Sequence, residues 1–142
     1  MPYDPRLVQP MRAELTAIGF TQLLTVQDVE DFMAEQAGTT LLVVNSVCGC
    51  AAGMARPGVR LALQQGPRPD RLATVFAGQD LEAVARVRSY FSDYPPSSPS
   101  LALFRDGQLV HFVPRHQIEG RTAEMVAGDL AKALEEHCAP AA

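Results

Sequence analysis

The segment TTLLVVNSVCGCAAGMARP, residues 39–57, decides the fold of this chain. Its apolar run over residues 41–44 is typical of a strand that is buried on both faces of a parallel sheet. The alanine-rich stretch from Ala51 onward predicts the first turns of a helix. Cys48 and Cys50 then lie at a strand-to-helix corner, where unpaired backbone N–H groups favour a thiolate over a thiol. We predict that this corner is the active site, with the cysteine nearest the helix start as nucleophile.

Length, composition and charge limit the classes of function. A chain of 142 residues that is 47% hydrophobic predicts one domain over residues 1–142. The net charge of -4, without a cluster of Lys or Arg, argues against nucleic acid and anionic membranes as partners. No apolar stretch has the length of a membrane span, and the N-terminal sequence is unlike a signal peptide. We expect a cytoplasmic protein, in which a close cysteine pair is redox-active or metal-binding rather than structural.

Helix patterns recur along the chain. Apolar spacing and capping residues predict four helices besides the one after the cysteines. The first covers residues 10–18 and ends before Gly19, the second runs from Thr25 to about Gly38, and the third starts at Asp80. The fourth starts at Thr122, and its apolar side chains are predicted to face the core: Met125, Val126, Leu130 and Leu134. Pro57 lies in the helix after the cysteines, and its missing N–H predicts a kink or a restart there.

Strand patterns alternate with these helices. A short edge strand is predicted over residues 20–24, and residues 72–77 are expected to pair in parallel with the strand before the cysteines. A proline-rich loop, residues 93–99, leads into a strand, an Asp106-Gly107 turn and a returning strand, which together predict a hairpin.

This order of elements resembles the thioredoxin fold, because a βαβ unit carries the cysteine pair after its buried strand and a proline precedes the hairpin. We therefore expect an α/β thioredoxin-like fold, a central mixed β-sheet flanked by helices, with an N-terminal helical extension over residues 1–20. Three segments are similar to the bacilliredoxin family, thioredoxin-like proteins with a C-G-C site. They are VNSVCGCAAGMARP (44–57), MRAELTAIGF (11–20) and RHQIEGRTAEMVAGDLAKALEEHC (115–138). The resemblance covers nearly the whole chain.

The resemblance implies a thiol–disulfide oxidoreductase that removes bacillithiol, or a similar small thiol, from mixed disulfides on protein cysteines. Cys48 occupies the position of the family's attacking cysteine and Cys50 that of its second cysteine. Either Cys50 or an external thiol would complete the cycle. The implied partners are proteins that carry such mixed disulfides, small thiols and a recycling reductase. No bound cofactor or metal is expected, and bacillithiol would be a co-substrate.

Four other residues are candidates for shaping the site. The resemblance suggests Pro99 as the counterpart of the cis-proline that faces the cysteines in thioredoxin-like folds, although an ordinary trans loop proline is the alternative. Gly49 would let the backbone bend to bring the sulfurs together, and the one-residue spacing predicts a more oxidising pair than that of thioredoxin. Asn45 and Ser46 either donate hydrogen bonds to the thiolate or serve as turn and capping residues.

The other chemically active side chains are Arg56, three histidines and Cys138. Arg56 is read as a solvated helix residue, with attraction of an anionic thiol ligand as the alternative. His111, His116 and His137 receive no catalytic role, and the strand before the cysteines contains no carboxylate, so proton transfer is left to solvent. Cys138 is read as an inert structural thiol, with a redox role left open.

Two other functions remain open at this point. A general protein disulfide oxidase or isomerase would use the same chemistry on other substrates. A soft-metal protein could bind Cu(I) or zinc through the two thiolates, but the other candidate ligands lack a matching spacing. The sequence leaves open the identity of the small thiol, for which coenzyme A or cysteine could substitute, the client proteins, the reductase, and whether the chain forms a homodimer through a sheet edge.

Overall fold

The computed structural model describes residues 2–35 and 37–138 of the chain. Helices and strands alternate, as the sequence predicts. The helices are α1 (Pro5–Thr16), α2 (Val26–Ala34), α3 (Arg56–Gln65), α4 (Leu81–Arg88) and α5 (Ala123–His137). The strands are β1 (Thr21–Gln22), β2 (Thr39–Asn45), β3 (Arg71–Phe76), β4 (Ser100–Arg105) and β5 (Gln108–Val113). A π-helical turn (Ala51–Ala55) precedes α3, and short 3₁₀ turns (Ser89–Phe91 and Arg115–Gln117) follow α4 and β5.

The five strands form one mixed sheet in the order β1-β3-β2-β4-β5. β3 runs parallel to β1 and β2, whereas β4 is antiparallel to both β2 and β5. All seven residues of β2 are buried. The prediction of a central strand buried on both faces is confirmed, and the mixed sheet flanked by helices is the predicted fold class.

The side chains of β2 alternate between two hydrophobic cores. Leu41 and Val43 pack with residues of α1, α3 and α5 on one face of the sheet. Leu42 and Val44 pack with residues of α2 and α4 on the other face. Because successive side chains of a strand point to opposite faces, one apolar run of four residues contributes to both cores.

Local sequence signals set several element boundaries. Thr25 and Asp28 form a reciprocal capping box at the start of α2, and Thr122 caps α5 by accepting the N–H of Met125. Asp106 and Gly107 have φ angles of 50° and 83°, as a two-residue hairpin turn requires.

Pro57 has the predicted effect on the helix after the cysteines. Hydrogen bonding is π-helical over Ala51–Ala55 and becomes α-helical from Arg56, so the helix restarts at the proline. Proline is tolerated in a first helical turn, where its missing N–H would have no helical partner.

Three predicted details are wrong. α1 begins at Pro5 and not at Pro10, because the Asp4 side chain caps its first turn and Pro10 lies on an exposed side of the helix. α2 ends at Ala34 and not near Gly38, since the next residue has an extended conformation. Met125 is 49% exposed, because it lies about 100° around the helix from Val126, which faces the core.

No helix within the described ranges combines the length and the apolar character that a membrane span requires.

Candidate active site

The predicted corner follows β2 directly. The strand ends at Asn45, and Cys48 and Cys50 precede the π-helical turn that leads into α3. A disulfide bond joins the two cysteines, whose Cα atoms are 5.4 Å apart. The carbonyl oxygen of Cys48 accepts the N–H groups of Ala51 and Ala52, at 3.0 and 3.1 Å. The helical hydrogen bonding therefore begins at Cys48, as expected of a thiol at a helix start.

The two cysteines differ in accessibility. Cys50 is 6% exposed and belongs to the core between the sheet and α3, whereas Cys48 is half-buried and packs against that core from its edge. A sulfur that attacks a disulfide on another protein must be reachable from solvent. The geometry favours Cys48 for that attack, and Cys50 is better suited to react with a group that Cys48 already holds.

Gly49, between the cysteines, is exposed, and a Cβ at this position would meet no atom within 4 Å. Its φ angle lies outside the left-handed region, so the observed backbone does not demand glycine. The structure thus leaves room for a side chain here, and a role for Gly49 in setting the reduction potential stays a prediction.

Pro99 follows a cis peptide bond from Ser98 and is buried. Its neighbour Ser100 pairs with Val44, so Pro99 lies at the end of β2 that precedes the cysteines. Arg115 stabilises this loop, because its Nη1 donates to the carbonyl oxygen of Ser98 at 3.3 Å. The isomer agrees with the expectation from the resemblance, and contact of Pro99 with a substrate stays a prediction.

Asn45 and Ser46 are 1% and 6% exposed and support the loop that carries Cys48. Asn45 Nδ2 donates to the carbonyl oxygen of Met11 in α1 at 3.2 Å, and Asn45 Oδ1 accepts the N–H of Ser46 at 2.8 Å. Ser46 Oγ accepts the N–H of Cys48 at 3.1 Å. Within the described residues, neither side chain hydrogen-bonds to a sulfur. In this oxidised state they serve as turn residues, which is one of the two predicted roles.

Arg56 is 3% exposed, so the prediction of a solvated helix residue is wrong. Its Nη1 donates to Asn45 Oδ1 at 2.9 Å and to the carbonyl oxygen of Ser46 at 2.8 Å. Its Nε lies 3.1 Å from Glu14 Oε2, an ion pair whose angles are not those of a hydrogen bond. A guanidinium enclosed in this way is also poorly placed to attract a soluble thiol.

Sequence reasoning missed both Arg56 and Glu14 as parts of the site. One signal was available, because Arg56, Val59 and Leu63 recur at the spacing of a helix face and the last two are apolar. A cation on an apolar face must be buried with partners, since an unpaired buried charge is strongly unfavourable. The partner itself, 42 residues earlier in α1, leaves no comparable signal.

Cys138 lies at the opposite end of the sheet from the active-site pair. It is 8% exposed, forms no disulfide, and contacts Thr39 at the amino end of β2. Burial raises the pKa of the Cys138 thiol, although the nearby Thr39 side chain acts in the opposite direction. A seven-residue strand spans roughly 20 Å, which no disulfide can bridge. Cys138 therefore cannot bond to Cys48 within the folded chain.

The three histidines differ in their burial and in their position in the fold. His111 is half-buried in β5, opposite Leu103 in the middle of β4, and burial together with nearby His137 lowers its pKa. His116 is exposed, whereas His137 is half-buried. In the part of the chain that the structure describes, no three His, Cys, Asp or Glu side chains come together as metal ligands.

Comparison with known proteins gives consistent results. A family model described as disulphide isomerase matches residues 3–138. A bacilliredoxin of Shouchella clausii is 55% identical over 136 residues, which cover 96% of this chain and 94% of that protein. A bacilliredoxin of Cytophaga hutchinsonii is 56% identical over 134 residues, which cover 94% of this chain and 98% of that protein.

The fold also matches solved structures. The thioredoxin of Fasciola hepatica superposes with a TM-score of 0.56 at 20% identity, covering 83% of this chain and 99% of the thioredoxin. An identity this low establishes the fold alone, and that fold is the predicted thioredoxin fold.

Proposed function

Because the chain belongs to the bacilliredoxin family, we propose that it removes bacillithiol, or a similar low-molecular-weight thiol, from mixed disulfides on protein cysteines. Its general activity follows from the family, the fold and the cysteine pair together: the chain is a thiol–disulfide oxidoreductase. The observation that carries the finer proposal is the unequal exposure of Cys48 and Cys50 at the start of a helix.

The first step is an attack by the Cys48 thiolate on the small-thiol sulfur of a client's mixed disulfide. The bond between the client and the small thiol breaks, the client cysteine leaves as a thiolate and takes a proton from solvent, and Cys48 becomes bonded to the small thiol. Cys48 is the more accessible cysteine, as this encounter with another protein requires.

The second step regenerates the small thiol. Cys50 loses a proton to solvent and attacks Cys48 Sγ, so that the small thiol is released and the Cys48–Cys50 disulfide forms. The chain is then oxidised by two electrons, which a recycling reductase must return. Alternatively, an external thiol attacks the small-thiol sulfur of the adduct, so that a disulfide forms between the two small thiols and Cys48 leaves as a thiolate, which returns the chain to its reduced form.

The proposal places the reaction in the cytoplasm, where reducing systems keep thiols reduced and can regenerate the pair. Its clients are proteins with an accessible cysteine that carries a small thiol. Contact between such a client segment and the backbone around Pro99 is part of the same proposal, because this loop lies at the end of β2 from which the cysteines follow.

A second candidate is a general disulfide isomerase, which the description of the matching family model favours. The two activities differ in their substrate. An isomerase exchanges disulfides between protein cysteines, whereas the proposed enzyme acts where one partner of the disulfide is a small thiol.

The decisive test mixes reduced protein with a client that carries a bacillithiol mixed disulfide and follows intact masses. We expect the parent protein to remove the adduct, Cys50→Ala to accumulate it on Cys48, and Cys48→Ala to leave the client unchanged. Cys138→Ala is the matched control and should act like the parent. If the client keeps its adduct while the parent rearranges a protein with scrambled disulfides, the isomerase is the correct function.

A further inference from the structure

A buried polar cluster lies beneath the loop that carries Cys48. It consists of Arg56, Asn45, Ser46 and Glu14, of which only Glu14 is exposed, with 41% of its side chain accessible. The exchange steps above do not require any of these side chains to react. Burial of a guanidinium is unfavourable unless it is well partnered, so its position directly under the reactive loop requires an explanation.

We propose that Arg56 is a positioning residue for the exchange reaction: a buried cation that holds the loop of Cys48 in place and stabilises the thiolate on it. The inference rests on the proposed role of Cys48 as the attacking residue.

A continuous set of hydrogen bonds connects the guanidinium to the backbone of Cys48. Arg56 Nη1 donates to Asn45 Oδ1 and to the carbonyl oxygen of Ser46. The same Asn45 oxygen accepts the N–H of Ser46, whose Oγ accepts the N–H of Cys48. None of these bonds involves a sulfur, so reduction of the disulfide removes none of them, and the loop keeps its support when the thiolate forms.

The charge of Arg56 acts over a short distance. Its guanidinium touches the carbonyl oxygen of Ser46 at 2.8 Å, and the Cα atoms of Ser46 and Cys48 can be at most about 7 Å apart. A cation near a thiol favours the thiolate, and burial weakens the screening of that effect by solvent.

Charged residues on α1 and α5 near the loop are paired or exposed. On α1, Arg12 pairs with Asp80 at 2.6 Å, and on α5 the first-turn residue Glu124 is exposed while Asp129 pairs with Arg121. At the neighbouring proline loop, Arg115 and Arg88 donate to the carbonyl oxygens of Ser98 and Ser97, and Arg115 also pairs with Glu119. Glu14 is the carboxylate in contact with Arg56 and partly offsets its charge. Removal of the Glu14 charge and removal of the Arg56 charge should therefore change the acidity of Cys48 in opposite directions.

The test measures the pH dependence of alkylation of Cys48 by iodoacetamide in the reduced protein. Peptide mass mapping measures the alkylation of Cys48 separately from that of Cys50 and Cys138. We expect Arg56→Met to move the pH midpoint upward by about one unit, which lowers the alkylation rate below the midpoint about tenfold. Arg56→Lys should restore part of the loss, and Glu14→Gln should move the midpoint downward.

Arg60→Met is the matched control, because Arg60 is exposed on the same helix one turn later and its removal changes the net charge equally. It should leave the midpoint unchanged. The proposal would be overturned if the Arg56→Met protein folds and its Cys48 alkylation has the same pH midpoint as in the parent protein. It would also be overturned if the midpoints of Arg56→Met and Glu14→Gln move in the same direction. If Arg56→Met does not fold, Glu14→Gln decides: a lower midpoint supports the proposal and an unchanged one overturns it.

Alkylation by iodoacetamide requires neither bacillithiol nor a client protein. A failure of the proposed function in the mixed-disulfide assay would therefore leave this measurement interpretable, and a failure here would not bear on which disulfides the enzyme reduces.

Discussion

Gly58 in α3 lies against Val126 in α5, so closely that a Cβ on Gly58 would be 2.8 Å from Val126 Cγ1. The same Cβ would be 3.1 Å from the carbonyl oxygen of Ala123. At this point α3 and α5 approach each other so closely that no side chain fits between them. The contact therefore sets how close the start of α3 lies to α5.

Gly58→Ala should destabilise the protein by about 1–3 kcal/mol, because backbone and a β-branched side chain must move to admit the methyl group. Urea unfolding measures the change in the free energy of unfolding. Gly53→Ala is the control, since a Cβ there meets no atom within 4 Å, and it should change stability by less than about 1 kcal/mol. Equal stability of the two variants would contradict the close approach of the helices.

Cys138 should take no part in exchange, because it is buried at the far end of β2. In the native reduced protein we expect its alkylation at neutral pH to be much slower than that of Cys48. In concentrated guanidinium chloride, where burial is lost, the two rates should become similar. Peptide mapping of the oxidised protein should find only the Cys48–Cys50 bond within a chain, and an intrachain bond to Cys138 would contradict the separation of Cys138 from the active-site pair.

His111 should make the protein less stable in mild acid. Burial, and then the proximity of His137, lower the pKa of His111 from its usual value of 6.5, whereas nearby Asp129 and Glu136 oppose this shift. The unfolded chain therefore binds a proton at a higher pH than the folded one, so the free energy of unfolding falls as the pH drops below about 6.5.

Urea unfolding between pH 7 and 5 tests this expectation. His111→Gln should flatten the pH dependence, whereas His116→Gln, at an exposed position, should retain the slope of the parent. If the free energy of unfolding of the parent protein is constant between these pH values, His111 is not a buried, neutral side chain.

Asn45→Ala should cost about 1–3 kcal/mol of stability, because it leaves buried donors on Arg56 and Ser46 without their acceptor. Exchange with small disulfides should also slow, since the loop of Cys48 loses its support. Gln27→Ala removes an exposed hydrogen bond to Asp31 and is the control, with no measurable change expected. An Asn45→Ala protein that unfolds at the urea midpoint of the parent and exchanges at its rate would show that this cluster is dispensable.

Much of the fold could be predicted because its signals are local. The apolar run of β2, the Thr25 and Asp28 capping box, and the Asp106-Gly107 turn each depend on residues a few positions apart, and the structure confirms all three. The cysteine corner is predictable for the same reason, because the strand, the thiols and the helix that follows are contiguous in the chain.

By itself, the sequence determined the alternation of helices and strands, the place of the cysteine pair and, through the resemblance, the family. Only the tertiary structure decided that Arg56 is buried, that Glu14 from α1 faces it, that Cys50 is the less accessible thiol, and that Cys138 lies at the far end of the sheet. The physical reason is that periodicity and capping act within one element. The burial of a charge or a thiol depends instead on which distant element packs over it.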